Sequence, residues 1–304
     1  MDEEPRWPKA SGAWRTRARI AAVGPDARRA MAWPGGARTA VWVVPNLEYY
    51  EYRPARYDFR DQFARIAHPD TMQWGYRDYG NRVGVWRLAE AFSEYPVRIT
   101  ASTNLAILEH CPEIAALVRE RGWEVMSHGL YNTRYLGRSS ENEEREGYGL
   151  EAAICERALG TRPRGFLGPC VTNSPWTMDL IAEAGMTYHA DWVHDDVPVT
   201  IATRSGRPLV SVPYNYDVND GPALEGHFDA DYLVRGCVAQ FDRLHAEGGK
   251  VFCLALHTYL MGGPHTIGAL RRILDHVCGA GGVWHATGGE IADVAIGALA
   301  GAAP

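Results

Sequence analysis

The 304-residue chain lacks the features of several common protein classes. A net charge of −6 argues against a general nucleic-acid binder, and no apolar run approaches membrane-spanning length. The six cysteines form no Cys-x-x-Cys pair, so we expect reduced, mostly buried thiols instead of a disulfide framework. The acidic start has no apolar segment of the kind found in signal peptides, which favours a cytoplasmic location.

Several short catalytic motifs are also missing. The chain has no glycine-rich phosphate loop leading into a helix, which disfavours a nicotinamide-dependent enzyme. It has no Gly-x-Ser-x-Gly nucleophile elbow, and neither His-x-His nor His-Glu-x-x-His occurs. Any metal site would therefore be assembled from residues far apart in the sequence.

Apolar strand-like runs alternate with helical patterns from residue 37 onward. The first run, residues 39–44, is rich in Val, as is typical of a strand buried on both faces. The alternation predicts a mostly parallel sheet in one domain, residues 37–304, preceded by a partly ordered arm, residues 1–36. Residues 45–82 are predicted to form a long aromatic loop that covers the active-site mouth or an oligomer contact.

Polar and ionisable side chains follow the ends of several of these runs. In a parallel α/β barrel, such positions converge on one mouth, where catalysis takes place. Glu48 follows the first run, and His128 and His257 follow two later ones. Carboxylate and imidazole suit both acid–base catalysis and metal binding. We therefore predict that Glu48, His128 and His257 meet in one pocket as catalytic residues.

Other polar residues at these run ends are weaker candidates. The acidic segment 191–196 offers Asp191 as a catalytic residue, because clustered carboxylates shift one another's pKa. Simpler explanations exist for each candidate alone: a solvated loop for segment 191–196, a surface carboxylate for Glu48, and a loop-bonded ring for His128. Candidate substrate contacts from the same run ends are Asn46, Trp192, Asp195 and Tyr214.

Together, these segments resemble the polysaccharide deacetylase superfamily, and within it the branch of bacterial metal-independent allantoinases and related small-amide hydrolases. The resemblance runs from about residue 33 to 296. It rests on the order and spacing of Asn46-Leu47-Glu48, Ser127-His128-Gly129, Gly165-Phe166-Leu167-Gly168-Pro169, the segment 191–198, Val212-Pro213-Tyr214 with Asn219-Asp220, Leu256-His257 with Gly262 and Pro264, and the segment 283–287. The fold that it implies is α/β, a distorted, incomplete (β/α) barrel with about seven strands.

The chain departs from the family's usual pattern, in which an Asp and two His hold a metal. Asn46 and Glu48 stand where an Asp pair is usual, and Asn132, a further candidate substrate contact, replaces the second His. Leu167 replaces an Arg, whereas His257 matches the general-acid His. The allantoinase-like branch shares the Asn-x-Glu arrangement. Two options follow: zinc or another divalent metal held by Glu48, His128 and His257, or metal-independent chemistry.

The resemblance implies a hydrolase of a non-peptide carbon–nitrogen bond, acting as an N-deacetylase, amidase or cyclic-amide/ureide hydrolase on a small molecule. Glu48 or His128 would activate water, His257 would protonate the leaving nitrogen, and Asn46 or backbone N–H groups would stabilise the oxyanion. The altered ligand set motivates an alternative, a homologue that binds a sugar or ureide without hydrolysis. We expect self-association from family habit, and neither nucleic acid nor a membrane as a partner.

Overall fold

The computed structural model describes residues 30–54, 66, 68–226 and 229–300. Most of the predicted arm, residues 1–29, and part of the predicted aromatic loop, residues 55–65, lie outside this range. Within it, Trp33 is buried, packs on Trp284 with ring centroids 5.6 Å apart, and donates from Nε1 to the carbonyl of Lys250. The division into an arm and one domain stays a prediction.

Nine strands form one curled sheet in the described residues. They are β1 (Thr39–Leu47), β2 (Thr100–Thr103), β3 (Glu124–Ser127), β4 (Gly165–Phe166), β5 (Tyr188–His189), β6 (Val199–Ile201), β7 (Leu209–Ser211), β8 (Lys250–His257) and β9 (Val283–His285). The order is β6-β7-β5-β4-β3-β2-β1-β8, and β9 pairs with β1. All described pairings are parallel except β6 with β7. The carboxyl ends of most strands therefore lie at the same edge of the sheet.

The barrel is incomplete because its two edge strands, β6 and β8, do not pair with each other in the part of the chain that the structure describes. One backbone hydrogen bond crosses the gap near these edges, from Val251 N to Asp196 O at 3.0 Å. The predicted incomplete α/β barrel is thus confirmed. The sheet has more strands than the seven predicted, partly because β6 folds back on β7 as an antiparallel edge strand.

Helices surround the sheet and connect its strands. They are α1 (Thr71–Tyr79), α2 (Val85–Phe92), α3 (Ile107–His110), α4 (Pro112–Glu120), α5 (Glu141–Leu159), α6 (Thr177–Glu183), α7 (Asp220–Glu225), α8 (Ala230–Glu247), α9 (Thr258–Met261), α10 (Ile267–Gly279) and α11 (Gly288–Ala300), with a π-helical turn at Gly80–Gly84 and short 3₁₀ turns at Pro34–Gly36 and Pro169–Val171. None of the helices in the described ranges has the length and apolar character needed to cross a membrane.

Alternation along β1 divides its side chains between two cores, because successive residues of a strand point to opposite faces. Val41 and Val43 pack outward among the surrounding helices. Trp42 and Val44 pack inward with residues of the other strands. The same inward alternation continues past Val44 to Asn46 and Glu48, which carries these two polar side chains to the mouth of the barrel.

The predicted aromatic loop contains an ordered helix. Asp70 caps α1 by accepting from Gln73 N, and the chain continues through the π-helical turn into α2. Gly84 lets this turn pass close to α9, since a Cβ there would overlap the carbonyl oxygen of Thr258. This close contact places the α1–α2 segment against the residues that follow His257.

The contact at Gly84 yields a test of the packing beside the site. Gly84→Ala should lower the free energy of unfolding by about 1–3 kcal/mol, because the added methyl group meets backbone atoms that cannot move aside. Gly75→Ala in α1 is the control: no atom lies within 4 Å of its new Cβ. There we expect no loss, or a gain of up to about 1 kcal/mol from helix propensity. Equal stabilities of the two variants in denaturant unfolding would contradict the packing described.

Candidate active site

A cavity of about 180 Å³ opens at the carboxyl ends of the strands. Its polar lining comes from several strand ends at once: Asn46, Glu48, Tyr50, His128, Asn132, Tyr214, Asn219, Glu225, His257 and Tyr259. The three predicted catalytic residues Glu48, His128 and His257 lie in this one cavity, as do the predicted substrate contacts Asn46, Asn132 and Tyr214.

Glu48 is the centre of the cavity. Its carboxylate is 5% exposed and lies between the two imidazoles. The Oε1 atom is 3.5 Å from His128 Nε2 and 3.6 Å from His257 Nε2. Oε2 accepts a hydrogen bond from the Tyr50 hydroxyl at 2.8 Å. The imidazole distances are too long for strong direct hydrogen bonds, so there is room for a bridging polar group in front of Oε1.

His128 is fixed in orientation by a hydrogen bond on the far side of its ring. Its Nδ1 lies 2.7 Å from the carbonyl oxygen of Leu167. Because a carbonyl can only accept, Nδ1 carries the hydrogen, and Nε2 faces Glu48. The turn at Gly129, with φ of 71°, carries the chain away from the site, and Gly129 N donates to Ser127 Oγ at 3.1 Å.

His257 is held by Asp220, a residue that the sequence analysis named only within a motif. The Asp220 carboxylate accepts from His257 Nδ1 and from His257 N, both at 2.7 Å. Asp220 is fully buried at the start of α7, where Asn219 caps the helix by accepting from Gly221 N. The position of Asp220 after β7 was a sequence signal for a role in the site. The helix α7 was not predicted, however, so no feature of the sequence indicated that this carboxylate would face β8.

His257 and Glu48 are in opposite protonation states. Burial disfavours the His257 cation, but Glu48 and Asp220 outweigh it and raise the pKa of His257 to about 9. Burial alone would raise the pKa of Glu48, but His257 and His128 bring it below its ordinary value. At neutral pH the site therefore holds a Glu48 carboxylate beside a His257 imidazolium.

Amide and phenol groups complete the wall around Glu48. Asn46 Nδ2 donates to the Tyr214 hydroxyl at 3.0 Å and to the carbonyl of Leu256 at 3.1 Å. Asn132 Nδ2 donates to the Tyr50 hydroxyl at 2.5 Å. The buried Oδ1 atoms of Asn46 and Asn132 have no hydrogen-bond partner among the described residues. Because the amide hydrogens of Asn46 are used in this way, it does not supply the predicted oxyanion donor.

The other predicted site residues lie outside the cavity lining. Asp191 is buried behind it, where Oδ1 accepts from Gly168 N at 2.6 Å. Trp192 packs edge-on against His189, with ring centroids 5.0 Å apart. Asp195 accepts from the backbone of Asp196 and Val197, so its side chain stabilises its own loop. The structure thus gives no contact between these three side chains and the cavity.

Strand alternation accounts for this division. Even-numbered residues of β5 and β7 point into the barrel, as do Met126 in β3 and the odd-numbered residues of β8. His128, Tyr214 and His257 continue these inward series, whereas Asp191 continues an outward one. Tyr50, Tyr259 and Glu225 were not predicted because they lie in loops and short helices where no strand alternation applies.

The donor set does not fit zinc. A structural or catalytic zinc ion takes at least three ligands, usually imidazole, thiolate or carboxylate. The charges of Glu48 and Asp220 favour a proton on His257 Nε2, and this proton competes with a metal ion for that nitrogen. The second histidine position of the family motif holds an amide, Asn132. In the described ranges, no group of three or more His, Cys, Asp or Glu side chains is arranged to hold a metal ion.

Comparison with known proteins gives the same family as the sequence motifs. A Schizosaccharomyces pombe protein assigned to the polysaccharide deacetylases is 25% identical over 290 residues, which cover 86% of this chain and 91% of the relative. The crystal structure of PuuE allantoinase is 27% identical with a TM-score of 0.78, covering 88% of this chain and 93% of that one. The predicted resemblance to the polysaccharide deacetylase superfamily is thus confirmed.

A second solved structure shows the same resemblance. A Pseudomonas aeruginosa protein assigned to the polysaccharide deacetylases is also 27% identical, with a TM-score of 0.79, and the match covers 88% of this chain and 93% of that one. No family model matches the chain. The names of these relatives are those of carbon–nitrogen hydrolases, and the predicted reaction class is confirmed at that level.

The Asp220–His257 pair yields a prediction on pH dependence. Asp220→Asn removes a negative charge that favours the imidazolium, so the pKa of His257 should fall from about 9 toward its ordinary value. Nuclear magnetic resonance titration of ¹⁵N-labelled histidine measures this directly. Asp217→Asn is the matched control, because Asp217 is exposed three residues away. An unchanged His257 titration in Asp220→Asn would refute the assigned role of Asp220.

Proposed function

We propose that this protein hydrolyses a carbon–nitrogen bond in a small, neutral amide, cyclic amide or ureide, by metal-independent acid–base catalysis. One observation carries the proposal: a buried carboxylate, Glu48, lies 3.5 and 3.6 Å from two imidazole nitrogens that differ in their hydrogen-bond partners. His128 is tied to a neutral carbonyl, and His257 is tied to a carboxylate. One imidazole can therefore accept a proton, and the other can donate one.

His128 is the general base. Its Nδ1 holds the hydrogen, so the Nε2 electron pair faces the space in front of Glu48. A water molecule there can donate one hydrogen to Nε2 and the other to Glu48 Oε1, which leaves its oxygen lone pair for the substrate carbonyl. As the water attacks, its proton passes to Nε2, and the Glu48 carboxylate stabilises the imidazolium that forms.

His257 is the general acid. The charges of Glu48 and Asp220 keep it protonated at neutral pH, and its Nε2 points into the same space. When the tetrahedral intermediate collapses, the carbon–nitrogen bond breaks and the Nε2 proton passes to the leaving nitrogen. Without this proton the leaving group would be an amide anion, which is too basic to depart from the carbon.

The substrate's carbonyl oxygen is bound by Tyr214. The hydroxyl of Tyr214 accepts from Asn46 Nδ2 and, at 3.4 Å, from Asn219 Nδ2, which leaves its own hydrogen for a ligand. Burial raises the pKa of Tyr214 strongly, so the hydroxyl keeps this hydrogen at all working pH values. A buried donor aimed at a developing oxyanion is an effective source of rate enhancement.

The size of the cavity favours a small substrate. Its volume of about 180 Å³ is below the range of about 300–1,000 Å³ typical of pockets for drug-sized ligands. Tyr50 and Tyr259 form part of its wall, and the Arg77 guanidinium lies over both rings at 4.9 and 5.4 Å. This packed aromatic wall suits a ring-sized molecule better than an extended polymer. The cytoplasmic location and self-association stay predictions.

Three single substitutions test the acid–base assignment. Glu48→Gln, His128→Ala and His257→Ala should each lower kcat/KM by about a hundredfold or more, since proton transfer by a positioned group contributes about 10²–10⁴-fold. The assay uses a panel of allantoin, hydantoin, succinimide and N-acetylglucosamine. His194→Ala is the control, because His194 is exposed and lies outside the cavity lining.

Two results would overturn this proposal. A near-normal rate in His128→Ala would remove the general base. Measurable binding of a panel compound, with no turnover by the unsubstituted protein, would favour the non-hydrolytic alternative.

A further inference from the structure

Asp191 is a buried carboxylate that the proposed chemistry does not use. It lies behind the cavity wall, 6% exposed, and its Oδ1 accepts from Gly168 N at 2.6 Å. Its Oδ2 is buried and has no hydrogen-bond partner among the residues that the structure describes. A buried carboxylate with only one oxygen hydrogen-bonded is costly for the fold, so its position calls for an explanation.

One peptide group connects Asp191 to the catalytic base. The Gly168 N–H that donates to Asp191 and the Leu167 C=O that accepts from His128 Nδ1 belong to the same peptide bond. In a trans peptide, these two groups point in opposite directions. Asp191 and His128 therefore contact opposite edges of a single planar amide, at 2.6 and 2.7 Å.

We propose that Asp191 is a positioning residue that acts on His128 through the Leu167–Gly168 peptide. This inference rests on the proposed role of His128 as the general base. The Asp191 charge polarises the peptide, which makes the Leu167 oxygen a stronger acceptor for His128 Nδ1–H. The stronger bond holds the ring in place and stabilises the imidazolium that forms when His128 takes the proton of water.

The local backbone is suited to this arrangement. A Cβ on Gly168 would overlap the carbonyl oxygen of Thr172 and lie 3.2 Å from Asp191 Oδ1. Glycine is thus needed for the carboxylate and the turn to approach the peptide so closely. The turn continues directly into the 3₁₀ turn Pro169–Val171, whose Val171 lines the cavity.

The charge of Asp191 changes near neutral pH. Burial raises the pKa of Asp191 to about 7, against the opposing effects of the Gly168 N–H, Asn173 and His128, and Glu144 adds to the rise. His189, whose Nδ1 is 3.9 Å from Oδ2, is kept neutral because burial lowers its pKa to about 3. Asp191 is therefore charged, and able to polarise the peptide, above about pH 7.

Asp191→Asn tests the inference, because it removes the charge and keeps an oxygen to accept from Gly168 N. We expect the Nδ1–H resonance of His128 to move upfield at pH 8, which reports a weaker hydrogen bond. On the panel compound turned over fastest, kcat should fall about tenfold with little change in KM, the effect of about one charge-assisted hydrogen bond. The limb of the wild-type pH profile near 7 should disappear.

Asp196→Asn is the matched control, since Asp196 is exposed in the same loop. If Asp191→Asn does not fold, the unsubstituted protein provides the test: the Asp191 carboxyl carbon and the His128 Nδ1–H should shift with one midpoint near pH 7. The resonance measurements need no turnover, so they separate this inference from the proposed function. A His128 Nδ1–H resonance that ignores both the substitution and the pH would overturn it.

Discussion

The structure depends on one buried negative charge, the carboxylate of Glu48. A carboxylate that is 5% exposed is costly unless polar groups surround it. Here the Tyr50 hydroxyl donates to one oxygen, and two imidazoles approach the other at 3.5 and 3.6 Å. The charge of Glu48 also holds His257 in its cationic form. The central carboxylate thus organises the proton states of the residues around it.

The barrel supplies the geometry that this array requires. Inward-facing positions of β1, β3 and β8 form the barrel core. Two to four residues further along, the same inward series place Glu48, His128 and His257 at one mouth. The register of β1 with β8 pairs Asn46 with His257. The backbone pairing of these strands therefore fixes the position of the proposed general acid, His257. Asp220 holds the His257 ring, and the carbonyl of the Leu167–Gly168 peptide holds the His128 ring.

Strand ends could be predicted from the sequence, because a buried parallel strand is a long apolar run and its last residue marks the mouth. This predicted a mostly parallel sheet and placed Glu48, His128, His257 and Tyr214 together, whereas the incomplete barrel was implied by the family resemblance. The prediction for Asp191 ignored side-chain alternation, and the outward series of β5 takes this carboxylate behind the wall.

Contacts between elements distant in sequence could not be predicted in the same way. The helix α1 lies in a segment rich in aromatic and charged residues with no clear apolar period, and it depends on the close approach at Gly84. Asp220 meets His257 only because the short helix α7 packs beside β8, and neither helix propensity nor spacing specifies that contact.

Neutron diffraction from a deuterium-exchanged crystal at about pH 7.5 would locate the hydrogens that the proposed chemistry assigns to the site. We expect deuterium on both ring nitrogens of His257, on Nδ1 of His128, and on neither oxygen of Glu48. A protonated Glu48 beside a neutral His257, or a metal ion between Glu48 and the two imidazoles, would contradict the proposed chemistry.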